Sequence, residues 1–267
     1  MNKTQLALAA LLCSVSCGAF AQTAAPAAAA PASDWTLTGN AGLFSDYRFR
    51  GFTQTGYKPA FQGGFDVAHS SGFYAGNWNS NVESGLYTGA SLEMDFYAGY
   101  KRAFGDFGID VGGLYYYYPG SGAGGSTKIR NGELYAGVSY KMFSAKYYHA
   151  VTRYFSLGEM PTSPVDINTR GSGYLDLSAA FDLGSGWGLQ AHYGHQRVQN
   201  GPALFAAGQI FSNSNSVDDY KLGVSKDLSG WVVGAAVVGT SKRDFFRTAN
   251  GSSAGGTRAV VSLSKTF

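Results

Sequence analysis

Residues 35–50 read WTLTGNAGLFSDYRFR. Trp35, Leu37, Ala41, Leu43, Tyr47 and Phe49 share one parity, and Thr36, Thr38, Asn40, Asp46, Arg48 and Arg50 share the other; Phe44 and Ser45 break the rule. Successive side chains of an extended chain point to opposite faces, so the stretch reads as a strand with one apolar and one polar face. In a soluble sandwich the apolar face packs inward, whereas in a transmembrane barrel it meets lipid and the polar face lines the lumen. This strand alone leaves both open.

Eleven further segments follow outward from it. Phe61, Phe65 and Val67 mark the second, and Tyr74 and Trp78 the third, opposite Asn77, Asn79 and Asn81. Leu92 to Tyr100, Phe107 to Tyr117, Leu134 to Tyr140, Phe143 to Val151, Leu175 to Phe181, Trp187 to Tyr193 and Tyr220 to Val224 carry the same alternation. The eleventh, Trp231 to Thr240, is apolar on both faces, and the twelfth ends the chain with Ala259, Val261, Leu263 and Phe267.

The connections separate the two architectures. Short ones hold His69 to Gly72, Lys101 to Asp106, Lys141-Met142, Asp182 to Gly186 and Lys226 to Gly230. Long ones run near Gly51 to Pro59, Glu83 to Thr88, Pro119 to Ile129, Phe155 to Gly171, Gln199 to Val217 and Arg243 to Gly256. Every second connection is short, which sorts turns to one end and loops to the other, as outer-membrane barrels do. An even strand number also closes an antiparallel sheet without an exposed edge, which lipid requires. The expectation is an all-β, transmembrane antiparallel β-barrel of about 12 strands over residues 35–267, after a cleaved signal peptide. Aromatic residues near strand ends, Trp35, Tyr47 to Phe49, Tyr115 to Tyr118, Trp187 and Tyr193, are expected in the interfacial girdles.

Residues 1–21 carry the positive start at Lys3, the apolar run Leu6 to Leu12 and the small-x-small site Ala19-Phe20-Ala21 of a signal peptide. Residues 22–34 are an Ala/Pro-rich linker. Cys13 and Cys17 both fall in the leader, so the mature chain has no disulfide framework and no thiolate metal site. Glycine (38), tyrosine and phenylalanine (18 each) are abundant, and 14% of residues are charged. Without Lys3 there are 19 Lys+Arg against 17 Asp+Glu, too even a balance for a nucleic-acid partner.

Ser45-Asp46-Tyr47-Arg48-Phe49-Arg50-Gly51, Phe61-Gln62-Gly63-Gly64-Phe65-Asp66, Gly72-Phe73-Tyr74-Ala75-Gly76-Asn77-Trp78 and the ending Ser262 to Phe267 resemble the TorF-like porin family of proteobacteria. The resemblance spans the mature chain and implies an outer-membrane barrel with pore activity. It carries over no substrate and no catalytic residue. Phe267 resembles the terminal signal read by the barrel-assembly machinery, although Lys265 stands where that signal has an apolar or aromatic residue.

Gly120 to Gly125 satisfies G-x-G-x-x-G, but Pro119 precedes it and a strand pattern follows, so it reads as a loop. Gly251 to Gly255 satisfies G-x-S-x-G without a helix to form a nucleophile elbow. His192 and His195 lie three apart on a strand, hence on opposite faces, and cannot share a metal. No cofactor is expected.

Parity sends Asp46, Arg48, Arg50, Asp66, Asn77, Asn79, Glu93, Asp95, Asp110, Glu133, Lys146, Asp176 and Lys221 to the lumen, with Asp219 and Arg258. Such charges are costly against lipid, which makes inward placement the consistent one. Gly99, Gly137 and Gly223 leave room beside them. The expected function is a porin-like channel of a Gram-negative outer membrane, passing small hydrophilic solutes or ions without chemistry. Eight acids against five bases point to cation preference. The alternatives are a closed structural or adhesive barrel with ligand-binding outer loops, and a barrel-embedded hydrolase built on His149 or His195. The expected partners are outer-membrane lipid, the transported solutes or ions, and the assembly machinery.

Overall fold

A computed structural model describes residues 33–161 and 163–267. The predicted signal peptide and the linker up to residue 32 lie outside the described residues. The strands are β1 (Trp35–Phe44), β2 (Arg48–Phe49), β3 (Phe52–Thr53), β4 (Ala60–His69), β5 (Phe73–Asn81), β6 (Leu92–Phe104), β7 (Phe107–Tyr117), β8 (Arg130–Tyr140), β9 (Phe143–Ala150), β10 (Gly173–Gly184), β11 (Trp187–Arg197), β12 (Ser216–Leu228), β13 (Trp231–Thr240) and β14 (Arg258–Thr266). Twelve of them close an antiparallel barrel by neighbour pairing, with β1 joined to both β4 and β14. The remaining two, β2 and β3, form a separate hairpin.

Closure satisfies every strand edge, and the alternation then divides inside from outside. Leu37, Phe61, Phe65, Leu134, Leu222 and Val261 stand exposed on the outer face. So continuous an apolar exterior has no place in water and matches a lipid-facing band. The ambiguous eleventh segment resolves the same way. Trp231, Val233 and Val237 are exposed on β13, whereas Val232 and Val238 are buried.

Five short turns and both ends of the barrel chain share one rim, and six longer connections share the other. Ser229 and Gly230, with φ of 54° and 100°, supply the doubly left-handed geometry that matches the twist of a two-residue hairpin.

Three expectations are overturned. First, β1 stops at Phe44, and residues 45–59 bend into the barrel instead of continuing outward. Tyr47 and Phe49, expected at the lipid interface, are 3% and 9% exposed in the interior. The Tyr115 to Tyr118 run likewise splits, with Tyr115 exposed and Tyr116 and Tyr118 buried. Second, the parity of β5 is the reverse of that expected. Tyr74 and Trp78 join the interior cluster, so Asn77 and Asn79 face outward, opposite Phe65 and Gly63. Third, the glycines read as leaving room are filled positions. A Cβ at Gly99 would lie 2.7 Å from Tyr74 Oη, and one at Gly137 would lie 3.1 Å from Lys146 Cε. Tyrosines of the wall reach over glycines of neighbouring strands, as Tyr135 does over Gly112. On β5 the inward side is held by Tyr74, whose hydroxyl donates to Asp110 (2.6 Å), and by Trp78, which packs against Tyr47 at 5.4 Å.

Candidate functional site

The site is the interior, and it begins where β1 ends. Val261 donates its N–H to Ser45 Oγ (3.0 Å), the last contact before the chain leaves the wall. Asp46 then gathers the segment: its Oδ1 accepts from Thr53 (2.5 Å) and Thr55 (3.2 Å), and Oδ2 pairs with Arg48. The β2–β3 hairpin turns on Arg50 and Gly51, both with positive φ (47° and 81°). Gly51 is pressed against β12 and β13. A Cβ there would lie 2.5 Å from Thr240 Cγ2 and 2.6 Å from Asp219 Cβ.

From that tip Arg50 reaches the far wall. Its Nη2 donates to Glu133 Oε2 on β8 (2.7 Å) and its Nη1 to Gln196 Oε1 on β11 (2.7 Å). The guanidinium carbon lies 4.3 Å from the Tyr174 ring centroid and 4.8 Å from that of Phe49. Tyr47 Oη donates to Glu93 Oε1 on β6 (2.8 Å), and Phe49 meets Tyr116 and Phe155 edge-on at 5.6 and 5.5 Å. The segment therefore crosses the barrel and is fastened to β6, β8 and β11.

Wall residues beside a water-filled path keep accessible surface. At this level they have almost none: Glu93 is 1% exposed, Asp95 and Asn131 0%, and Glu133 and Gln196 2%. The loop-end half of the interior is a packed constriction. Toward the turn end, Asn40, Lys101, Gln190 and Ser264 are partly exposed and Asp182 and Thr266 exposed, which makes that half an open vestibule.

The remaining charged groups knit the staves together. Lys146 Nζ pairs with Asp110 Oδ2 (2.5 Å), while Asp110 Oδ1 accepts from Tyr74 (2.6 Å). Asp66 accepts from Tyr97 (2.6 Å). His192 lies between Asp176 (3.2 Å) and Asp219 (2.9 Å). Lys221 lies opposite His192 in the β11–β12 register. Asp95 differs from all of these: neither carboxylate oxygen has a hydrogen-bond partner, and the same holds for both side-chain polar atoms of Asn131. The two residues flank Tyr116 in one row of the ladder, Asp95 opposite Tyr116 and Tyr116 opposite Asn131.

Of the residues assigned to the lumen, Asp66, Glu93, Asp95, Asp110, Glu133, Lys146, Asp176 and Lys221 sit at inward positions of the wall. Asp46, Arg48 and Arg50 are inside but belong to the crossing segment. Asn77 and Asn79 face outward. Sequence reasoning missed Tyr47, Phe49, Tyr116, Gln196 and His192. The parity break at Phe44-Ser45 and the Arg50-Gly51 pair were the available signals. Gly120 to Gly125 lies in the β7–β8 connection around a short 3₁₀ turn. Among the described residues no group of three or more His, Cys, Asp or Glu could hold a metal ion.

The model of a family described as Gcw_chp, bacterial protein of unknown function, matches residues 28–267. No curated protein matches the chain. Among solved structures, a KdgM porin superposes with a TM-score of 0.52 at 9% identity, covering 86% of this chain and 98% of that one. The NanC porin gives 0.52 at 9% identity over 87% of this chain and 99% of that one. A KdgM porin in complex with disordered oligogalacturonate gives 0.51 at 9% identity over 86% and 98%. Likeness at this identity establishes a shared fold.

Proposed function

The chain belongs to the Gcw_chp family, and from that premise we propose that it is an outer-membrane, porin-like channel for small hydrophilic solutes or ions, closed here at its loop-end half. The observation that carries the reading is the division of one closed barrel into an apolar exterior and a charged interior. Porins of the same fold, and the resemblance to the TorF-like family in Ser45 to Gly51, support it. On this reading the short turns and the vestibule face the periplasm, the long loops face outside, and residues 1–21 direct export. The function is passive, with no catalytic step, and Phe267 is presented to the assembly machinery.

Cation preference rests on the excess of acids over bases at inward positions. Arg48, Arg50 and Lys146 are each taken by an acid, and Asp66, partly exposed on the inner face, accepts from Tyr97. A passing ion therefore meets carboxylates in excess of fixed cations. Single-channel recording of the refolded protein in a planar bilayer under a salt gradient tests this. Discrete steps with a cation-selective reversal potential are expected, and Asp66→Asn should move that potential toward zero. Anion selectivity would remove the preference.

The sealed constriction also favours a second reading, a permanently closed barrel whose outer loops bind partners. Replacing residues 46–55 by a Gly-Ser linker separates the two. A gated channel conducts rarely as wild type and steadily without the segment, whereas a closed barrel is silent as wild type.

A further inference from the structure

The outer face carries one anomaly. Phenols of tyrosine aside, every outward-facing charged, amide, Ser/Thr hydroxyl or imidazole side chain on the barrel strands lies within three residues of a strand end, with one exception among the described residues. That exception is Asn77, the central residue of β5, between Phe65 of β4 and Phe96 of β6, which are 63% and 45% exposed. Asn79 stands next to it on the same face, between Gly63 and Met94, and Asn81 continues the row to the rim.

Their hydrogen bonding leaves a remainder. Asn77 donates from Nδ2 to Asp95 O (3.0 Å). Asn79 Nδ2 contacts Gly63 O (3.3 Å) and Asn77 Oδ1 (2.6 Å). A primary amide has two N–H donors and an oxygen with two lone pairs. One N–H of Asn77 and the whole of Asn79 Oδ1 are therefore unused, and lipid chains supply no partner for either. Ala41, Gly63 and Asn79 form one row across β1, β4 and β5, so small residues adjoin the amides on the same face.

One spare donor and one spare acceptor on one patch are complementary to the same patch on another molecule. In a two-fold interface each surface meets itself, so each copy's donor finds the other's acceptor. A two-fold axis along the membrane normal also keeps both copies at equal depth and in one orientation. Amides joined across small residues are a recurrent means of association between chains in lipid. We propose that the β4–β5 face, centred on Asn77, Asn79 and Gly63, is the contact by which two copies of this chain pair within the membrane. The proposal rests on the membrane placement given above and not on conduction.

Cysteine cross-linking provides the test. With Cys13 and Cys17 replaced by serine, Asn79→Cys is introduced in the full chain, with Leu222→Cys on β12 as the control at another exposed outer position. Outer-membrane fractions are treated with a mild oxidant. Recovery in that fraction and a heat-dependent gel shift first establish placement and folding, so a failure of the membrane reading is visible separately. The expected result is a disulfide-linked dimer several-fold more abundant from Asn79→Cys than from Leu222→Cys. Light scattering in detergent should give twice the chain mass for wild type and a single mass for folded Asn77→Leu/Asn79→Leu. Equal cross-linking at both positions, or a wild-type monomer with lipid alone over this face, would overturn the proposal.

Discussion

The two halves of the interior are built from the same twelve staves but solve opposite problems. At the loop end a crossing segment, a ring of tyrosines and two acid–base pairs remove nearly all accessible surface. At the turn end the same inward positions hold Thr36, Asn40, Gln190 and Ser264, and water reaches them. Side-chain volume decides the difference. A barrel of this strand number lies between those filled by their own side chains and those left open. Large rings plus one inward segment fill half of it, and small polar residues leave the other half open.

The comparison is tested hardest at Arg50. Arg50→Ala strips Glu133 of its partner in a dry site, and removing one member of a buried pair costs about 3–5 kcal/mol. The variant should unfold at a much lower denaturant concentration while also conducting more. An unchanged midpoint would mean that the constriction is wet and the two halves are alike.

Gly51→Ala comes next. The new methyl meets Thr240 and Asp219 at a residue with φ of 81°, and strain of this kind costs about 1–3 kcal/mol. The expected readout is a lowered midpoint together with more frequent opening, because the hairpin tip is displaced from β12 and β13.

At the turn end, Gln190→Ala should change stability by less than about 0.5 kcal/mol, as for other substitutions at accessible positions. A loss as large as that at Arg50 would show that the vestibule is as tightly packed as the constriction.

The smallest effect belongs to the outer loops, which are fastened by exposed pairs. A hydrogen bond from Arg153 holds the Asp166 carboxyl below its ordinary value. A depressed folded value means that the stabilisation is present above the ordinary carboxylate range, about pH 4, and is lost as pH falls through the folded value. Cleavage of the 151–172 loop should be faster in Asp166→Asn than in wild type at neutral pH. The ratio of the two rates should approach one in acid. The effect should also fade with salt, because the pair is exposed.

Much of the barrel was legible because period-two alternation and the sorting of short from long connections are local properties. Strand number, the end of each turn and most wall acids follow from parity alone. Parity failed where volume mattered more than polarity. Tyr74 and Trp78 count as apolar in a pattern, yet the Tyr74 ring fits over Gly99 with its hydroxyl on Asp110, and Trp78 packs edge-on against Tyr47 in the interior. Asn77 and Asn79 were consequently displaced to the outer face. Arg48 and Arg50 continued the alternation of β1 so well that the departure at Phe44 was hidden.

The sequence by itself determined an antiparallel barrel with an apolar exterior and a charged interior, because alternation, turn residues and loop lengths act over neighbouring positions. Only the tertiary structure decided that residues 45–59 cross the lumen and that Arg50 closes on Glu133 and Gln196. Those contacts join residues 83 and 146 positions apart, and which ring fills which glycine depends on the register of strands that no single segment encodes.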